Sequence, residues 1–197
     1  MDLLGKKVSF CAIENVPLLR QLTGVKLKAL FCLLLAGLIF AGCTQTAPPE
    51  PKPQTIDDIL PKQAQPKLRT MKIYLGAETL DAELALSAEE EMTGMMYRTN
   101  IQETDAMLFV LPYTQQASFW MKNCPESISA AYITPQGVIA EIHRLEANNT
   151  NSVKSATDNI RFVLETKEGW FARHNIGEGT VIRTEKGSLA ETLLNGR

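Results

Sequence analysis

Residues able to do chemistry are sparse in this 197-residue chain, and they fall in three stretches. "ASFWMKNC", Ala117 to Cys124, packs a tryptophan, a lysine, an asparagine and a cysteine into eight residues. "GMMYR" supplies Arg98, and "IRFVLE" ends in Glu165. Side chains alternate across a strand, so a strand here would set Ser118, Trp120 and Lys122 on one face. Phe119, Met121 and Asn123 would take the other, with Phe119 and Met121 in the core. An exposed aromatic plane beside an ammonium suits stacking and hydrogen bonding to a polar ring or an anionic group. The plainer reading is that Trp120 covers a hydrophobic edge while Lys122 snorkels across it. Both readings stand on the sequence alone.

Glu165 precedes a short helical pattern, where its carboxylate can meet the positive end of the dipole or pair with Lys122 or Arg98. As a single acid without a second carboxylate it is thin support for hydrolysis, in which it would act with Lys122 or His143. His143 and His174 are the only histidines and form no local ligand motif, so no metal site is expected. No Walker A loop, dinucleotide fingerprint or G-x-S-x-G is present, and no cofactor is expected. Thiol catalysis by Cys124 would need a basic neighbour to depress its pKa, with a buried or edge thiol as the alternative.

The elements that must position these groups read as mainly β. "MKIYLG" and "TLDAELAL" alternate and predict a hairpin. "SAEEEMTGMMYR" predicts a helix capped by Ser87 with Glu90 at the capping-box position, and with Met92, Met95 and Met96 on one face. "AMLFVL", "ASFWMKN", "ISAAYI", "VIAEIHRLE", "IRFVLE" and "TVIR" are strand-length, and "TPQG" suits a type I hairpin turn. Thr166 is expected to cap a short helix over "KEGWFARHN" that Gly177 ends. The expected fold is a mostly antiparallel β-sandwich or barrel-like sheet with two short helices over residues 70–197.

Ahead of this domain, Lys26 and Lys28 precede the apolar run Ala29 to Gly42, which Cys43 follows. Fourteen residues span only about 21 Å as a helix, too short for a hydrocarbon core of roughly 30 Å. The pattern is a secretory signal over residues 1–42, and "FAGC" is similar to the lipobox of bacterial lipoproteins, with Cys43 acylated. Residues 1–24 are long for an n-region and are consistent with a true start at Val25. Thr44 after the lipid cysteine favours the outer membrane, facing the periplasm, in a Gram-negative host. Residues 43–69 hold six of the ten prolines and predict an extended linker. Beyond Cys43 remain 15 basic against 20 acidic residues, which argues against nucleic acid as a partner. Cys124 is the sole cysteine left there, so no disulfide is expected inside the mature chain.

The run from "MTGMMYR" through "MLFVLPYTQQASFWMKN" and "AAYITPQGVIAEIHRLE" to "RFVLETKEGWFARHNIGEGTVI" resembles the domain-of-unknown-function family 192, over about residues 72–184. Its members are small bacterial and archaeal proteins, commonly exported and often lipidated. The resemblance implies a compact, mostly antiparallel β structure with short helices and carries no assigned reaction. Its motifs fall on Arg98, Met107, Phe109, Phe119, Trp120, Met121, Lys122, Asn123, Glu165, Gly169 and Trp170. Ser129 departs from the family, which usually places an aspartate at that strand start. The functional expectation is a lipid-anchored envelope domain that meets the membrane through its lipid. It would bind a polar ligand or an envelope partner through Trp120 and Lys122, helped by Arg98, Asn123 and Glu165. A hydrolase and a purely structural envelope module are the alternatives.

Overall fold

A computed structural model describes residues 55–195. The signal segment and Cys43 lie outside the described residues. The one-turn helix α1 (Ile56–Ile59) belongs to a unit separate from the domain, and the Asp58 carboxylate caps it by accepting from the Thr55 N–H at 2.7 Å.

The domain opens with the expected hairpin of β1 (Thr70–Leu75) and β2 (Glu78–Ala85), paired in register from Thr70↔Glu83 to Leu75↔Glu78. Helix α2 (Ala88–Thr93) carries the capping box: the Glu90 N–H donates to Ser87 Oγ, and the Ser87 N–H to the Glu90 carboxylate. It stops early. Gly94 takes φ 45°, ψ −129°, open to glycine alone, so Met95 and Met96 are buried beyond the helix rather than along its face. This crossover returns the chain into β3 (Ala106–Gln115) parallel to β2, the one parallel pair of the main sheet.

The remaining strands are β4 (Ser118–Phe119), β5 (Ile128–Ile133), β6 (Ile139–Leu145), β7 (Val153–Lys154), β8 (Ile160–Lys167), β9 (Ile182–Thr184) and β10 (Gly187–Ser188). Eight form one sheet in the order β10-β9-β1-β2-β3-β8-β5-β6, and β4 pairs only with β7. Thr134 to Gly137 closes the β5–β6 hairpin, with the Gly137 N–H donating to the Thr134 carbonyl and Gly137 at φ 80°. The sheet curls until the start of β6 reaches the approach to β9: the Ile139 N–H donates to the Thr180 carbonyl, and Val138 bridges Val181. The result is a half-barrel of mixed sheet, in keeping with the mainly β expectation. Helices α3 (Trp170–Arg173) and α4 (Leu189–Leu193) complete it.

Two details of the sequence reading are corrected. Thr166 lies inside β8, and Gly169, whose φ of 74° turns the chain, is the N-cap of α3; His174 is its C-cap and Asn175 follows at φ 54°, so the helix ends before Gly177. Helix α4 was not expected, although "SLAE" carries its signal: Ser188 and Glu191 form a second capping box.

The sheet is buried on both faces. One face presents Leu84, Leu108, Leu164 and Ala131 to a core closed by Trp170, Phe171, Ile176 and Leu189. The opposite face presents Met107, Phe109, Val163 and Tyr132, covered by the loop segments around Met95 and Phe119. Phe119 packs edge-on against Phe109 at 5.3 Å, and against Tyr132 at 6.0 Å. The candidate residues belong to this second layer.

Candidate functional site

The Trp120–Lys122 expectation fails on geometry. β4 ends at Phe119, because only Ser118 and Phe119 find partners on β7. The chain then turns: the Met121 N–H donates to the Asn149 carbonyl, the Cys124 N–H to the Met121 carbonyl, and Asn123 sits at φ 60°. Alternation needs a continuous strand, so Phe119, Trp120 and Met121 are buried in succession, at 0%, 4% and 1% exposure. Trp120 is not an exposed platform. The Lys122 ammonium lies 5.7 Å from its ring centroid, in the manner of the snorkelling reading. Cys124 is buried and offers no exposed thiolate for catalysis.

Arg98 stands where the chemistry is. Tyr97 precedes it at φ 60°, a strained conformation for an aromatic residue, and its N–H donates to the Asn123 carbonyl at 2.7 Å. That contact sets Asn123 beside the Arg98 turn. The Glu126 carboxylate steadies the same segment by accepting from the N–H groups of Asn100 and Ile101. The turn aims Arg98 at Glu83 on β2, and the guanidinium donates through Nη1 at 2.5 Å and Nη2 at 2.9 Å in a bidentate fork. Glu83 is 5% exposed and also accepts the Leu68 N–H at 2.7 Å. Burial works to raise the Glu83 carboxyl, but the Arg98 hydrogen bonds, the Leu68 N–H and the Arg98 charge outweigh it and hold it below the ordinary range.

A pocket of about 290 Å³ opens on this pair. Gln65, Lys67, Thr99 and Asp105 supply its polar wall, with Met95 and Ile101 as its apolar side. Glu83, Gln65 and Lys67 were not singled out as site residues from sequence. Glu83 sits among the polar positions of an alternating strand, and nothing local says that a charged partner fifteen residues on will cover it.

Glu165 lies behind this site. The register sets Glu83, Met107, Glu165, Ala130 and His143 side by side across β2, β3, β8, β5 and β6. Glu165 is wholly buried, and neither carboxylate oxygen has a hydrogen-bond partner. Burial pushes its pKa well above the carboxylate range, with the Arg98 charge pulling the other way. Alongside, the buried Tyr132 hydroxyl is raised by burial and by Glu165 and Glu141, and it donates to the Val153 carbonyl at 2.7 Å. His143 is engaged by Glu141 at 2.8 Å, and Ala130 separates it from Glu165 in the row. Of the expected set, Arg98 lines the pocket, Asn123 meets the Arg98 turn through its backbone carbonyl, and Glu165 is buried behind it; Trp120 is buried, and His143 belongs to a different pair.

A family model covers residues 71–184 and carries the description "Uncharacterized ACR". The chain belongs to the DUF192 family. Two crystal structures share its fold. One is of a putative transcription regulator from Sinorhizobium meliloti 1021, 24% identical, with a TM-score of 0.58 over 61% of this chain and 98% of that one. The other is of a protein of unknown function from Novosphingobium aromaticivorans DSM 12444, 21% identical, with a TM-score of 0.57 over 66% of this chain and 97% of that one. No curated protein matches. Of the residues expected to carry the DUF192 motifs, Arg98 lines the pocket, and Met107 and Glu165 follow Glu83 in the row behind it. Ser129, where the resemblance leads to the expectation of an aspartate, lies elsewhere: it pairs with Thr166, on the face opposite Glu165, and its Oγ accepts the Gly169 N–H at 2.8 Å. An aspartate there would face α3, not the pocket.

Proposed function

We propose that this protein is a lipid-anchored envelope domain that binds a small polar ligand in the pocket at Arg98. The observation that carries the binding reading is an arginine fixed in a bidentate ion pair on the wall of a 290 Å³ pocket, with a partnerless buried acid behind it. Buried polar atoms without partners are uncommon and concentrate where a protein does something other than fold. The mixed wall of Lys67, Asp105, Gln65 and Thr99 suits a compact ligand bearing both donors and acceptors. Anchoring rests on Cys43 after a short apolar run, and the proposed address is the periplasmic side of the outer membrane.

A screen of sugars, amino acids and small carboxylates should find a compound that raises the melting temperature of the wild type. Thr99→Trp, at an exposed position on the pocket wall, should abolish that shift while leaving the unliganded melting temperature in place. Equal shifts in both proteins would put the binding elsewhere. Cys43→Ala should accumulate as a larger precursor outside the detergent phase; unchanged size and partition would sink the anchor. His143 is paired with Glu141, and Ala130 separates it from Glu165 in the row, so that pair does not support the hydrolase reading.

A further inference from the structure

The polar wall of the pocket is built in part by residues that precede the family match, which starts at residue 71. Composition predicts residues 43–69 to be an extended linker, yet its last ten residues are docked on the domain. Leu60 is 3% exposed. The Tyr97 hydroxyl donates to the Pro61 carbonyl at 3.1 Å. Gln65 Nε2 donates to the carbonyls of Glu90 and Gly94 at 3.2 and 2.9 Å; the Glu90 carbonyl also accepts the Gly94 N–H that caps α2, so the amide is clamped onto the end of that helix. The Leu68 N–H donates to Glu83, and the Leu84 N–H to the Arg69 carbonyl at 3.0 Å.

Each tie lands on an element that builds the Arg98 site. Tyr97 adjoins Arg98, Glu90 and Gly94 end the helix leading to it, and Glu83 is its ion-pair partner. Glu83 Oε2 is shared, taking the Leu68 N–H at 2.7 Å and Arg98 Nη2 at 2.9 Å. The Gln65 amide also touches Met107 Sδ at 4.0 Å, over the residue that separates Glu83 from Glu165. Apart from Leu60, the segment is held mainly by hydrogen bonds at half-buried positions, the kind of attachment that opens locally without unfolding the domain.

We propose that residues 60–69 form a strap that regulates the Arg98 pocket, closing one wall when docked and opening it when released. The proposal rests on the pocket reading and adds its control. With the strap away, Gln65 and Lys67 leave the wall, Glu83 loses a donor, and Arg98 becomes accessible. Because the strap continues into the tether, the state of the tether is felt at the site.

The test uses the full chain without any ligand. Leu60→Asp and Gln65→Gly are compared with wild type by hydrogen exchange and by modification with phenylglyoxal, which reacts with accessible guanidinium groups. In the variants the Leu68 and Leu84 amides should exchange about tenfold faster, while the Leu164 amide in β8 keeps its protection. Arg98 should be modified about tenfold faster, in proportion to that opening, while the exposed Arg183 is unchanged. Faster strap exchange with unaltered Arg98 reactivity would overturn the proposal. So would free-chain exchange of the strap in wild type, unchanged protection in both variants, or joint loss of Leu68 and Leu164 protection. A null compound screen would leave this result standing, and failure here would leave the pocket reading to its own screen.

Discussion

Glu83 and Glu165 lie two strands apart in one cross-sheet row, with Met107 between them, and the acidities of their carboxyl groups are shifted in opposite directions. Glu83 has a fork from Arg98 and a backbone donor; Glu165 has neither. Both are buried, Glu165 the more deeply, so depth and partners together separate them. Arg98 serves the first acid by contact and reaches the second only through its field.

Glu165 should make the protein less stable as pH rises. Its folded pKa lies above the unfolded value of about 4.3, so the folded state holds the proton more tightly. The stabilisation is complete below about pH 4, and it is lost as pH climbs from there through the folded pKa. Glu165→Gln removes that slope, so the variant should gain on wild type by up to roughly 1.4 kcal/mol per pH unit across the window. Urea denaturation at a series of pH values from 4 to 8 measures it. Parallel curves would mean that Glu165 is ionised and paired.

Arg98→Ala should cost about 3 kcal/mol or more, because it leaves the Glu83 carboxylate buried without its counter-charge. Adding Glu83→Gln should recover most of the loss, since the amide oxygen still accepts the Leu68 N–H and no charge is left buried. Urea denaturation of the two single variants and the double decides this. Additive losses would show that the pair is not coupled.

Phe119→Ala and Trp120→Ala should destabilise alike, each by roughly 3–5 kcal/mol. Alternation along one strand would make the second nearly silent, and chemical denaturation of both variants separates the two cases.

That contrast marks what was legible. Local signals are legible: Ser87 with Glu90 caps α2, and "TPQG" closes its hairpin, because each depends on residues three or four apart. The fate of Trp120 depends on where β4 runs out of partners, which is set by β7 more than thirty residues on. Alternation along "IRFVLE" opposes Glu165 to Leu164, which by itself would leave it on a solvent face. β8 is instead the strand between β3 and β5 with both faces covered, and the unbroken apolar run Phe162–Val163–Leu164 was its sign. The strap was hidden by composition, for its anchors are one leucine, one glutamine and backbone groups that carry no sequence signature.

Ser129 offers a last test, because the resemblance to the family leads to the expectation of an aspartate there. Its hydroxyl accepts from the Gly169 N–H, at the left-handed turn that starts α3 and delivers Trp170 and Phe171 to the core. Ser129→Ala removes the acceptor from a half-buried donor and should cost about 1 kcal/mol. Ser129→Asp restores an acceptor of similar reach, and a carboxylate there faces the positive end of the α3 turn, so stability should return to within about 0.5 kcal/mol of wild type. Neither change should alter ligand-induced stabilisation, since the side chain points away from the Glu165 face. Thermal melts of both variants, with and without a compound that stabilises the wild type, test the two halves separately. If Ser129→Asp changes the ligand response while leaving the unliganded melt in place, the aspartate of the relatives works on the site through α3, and the assignment of that position to structure alone fails.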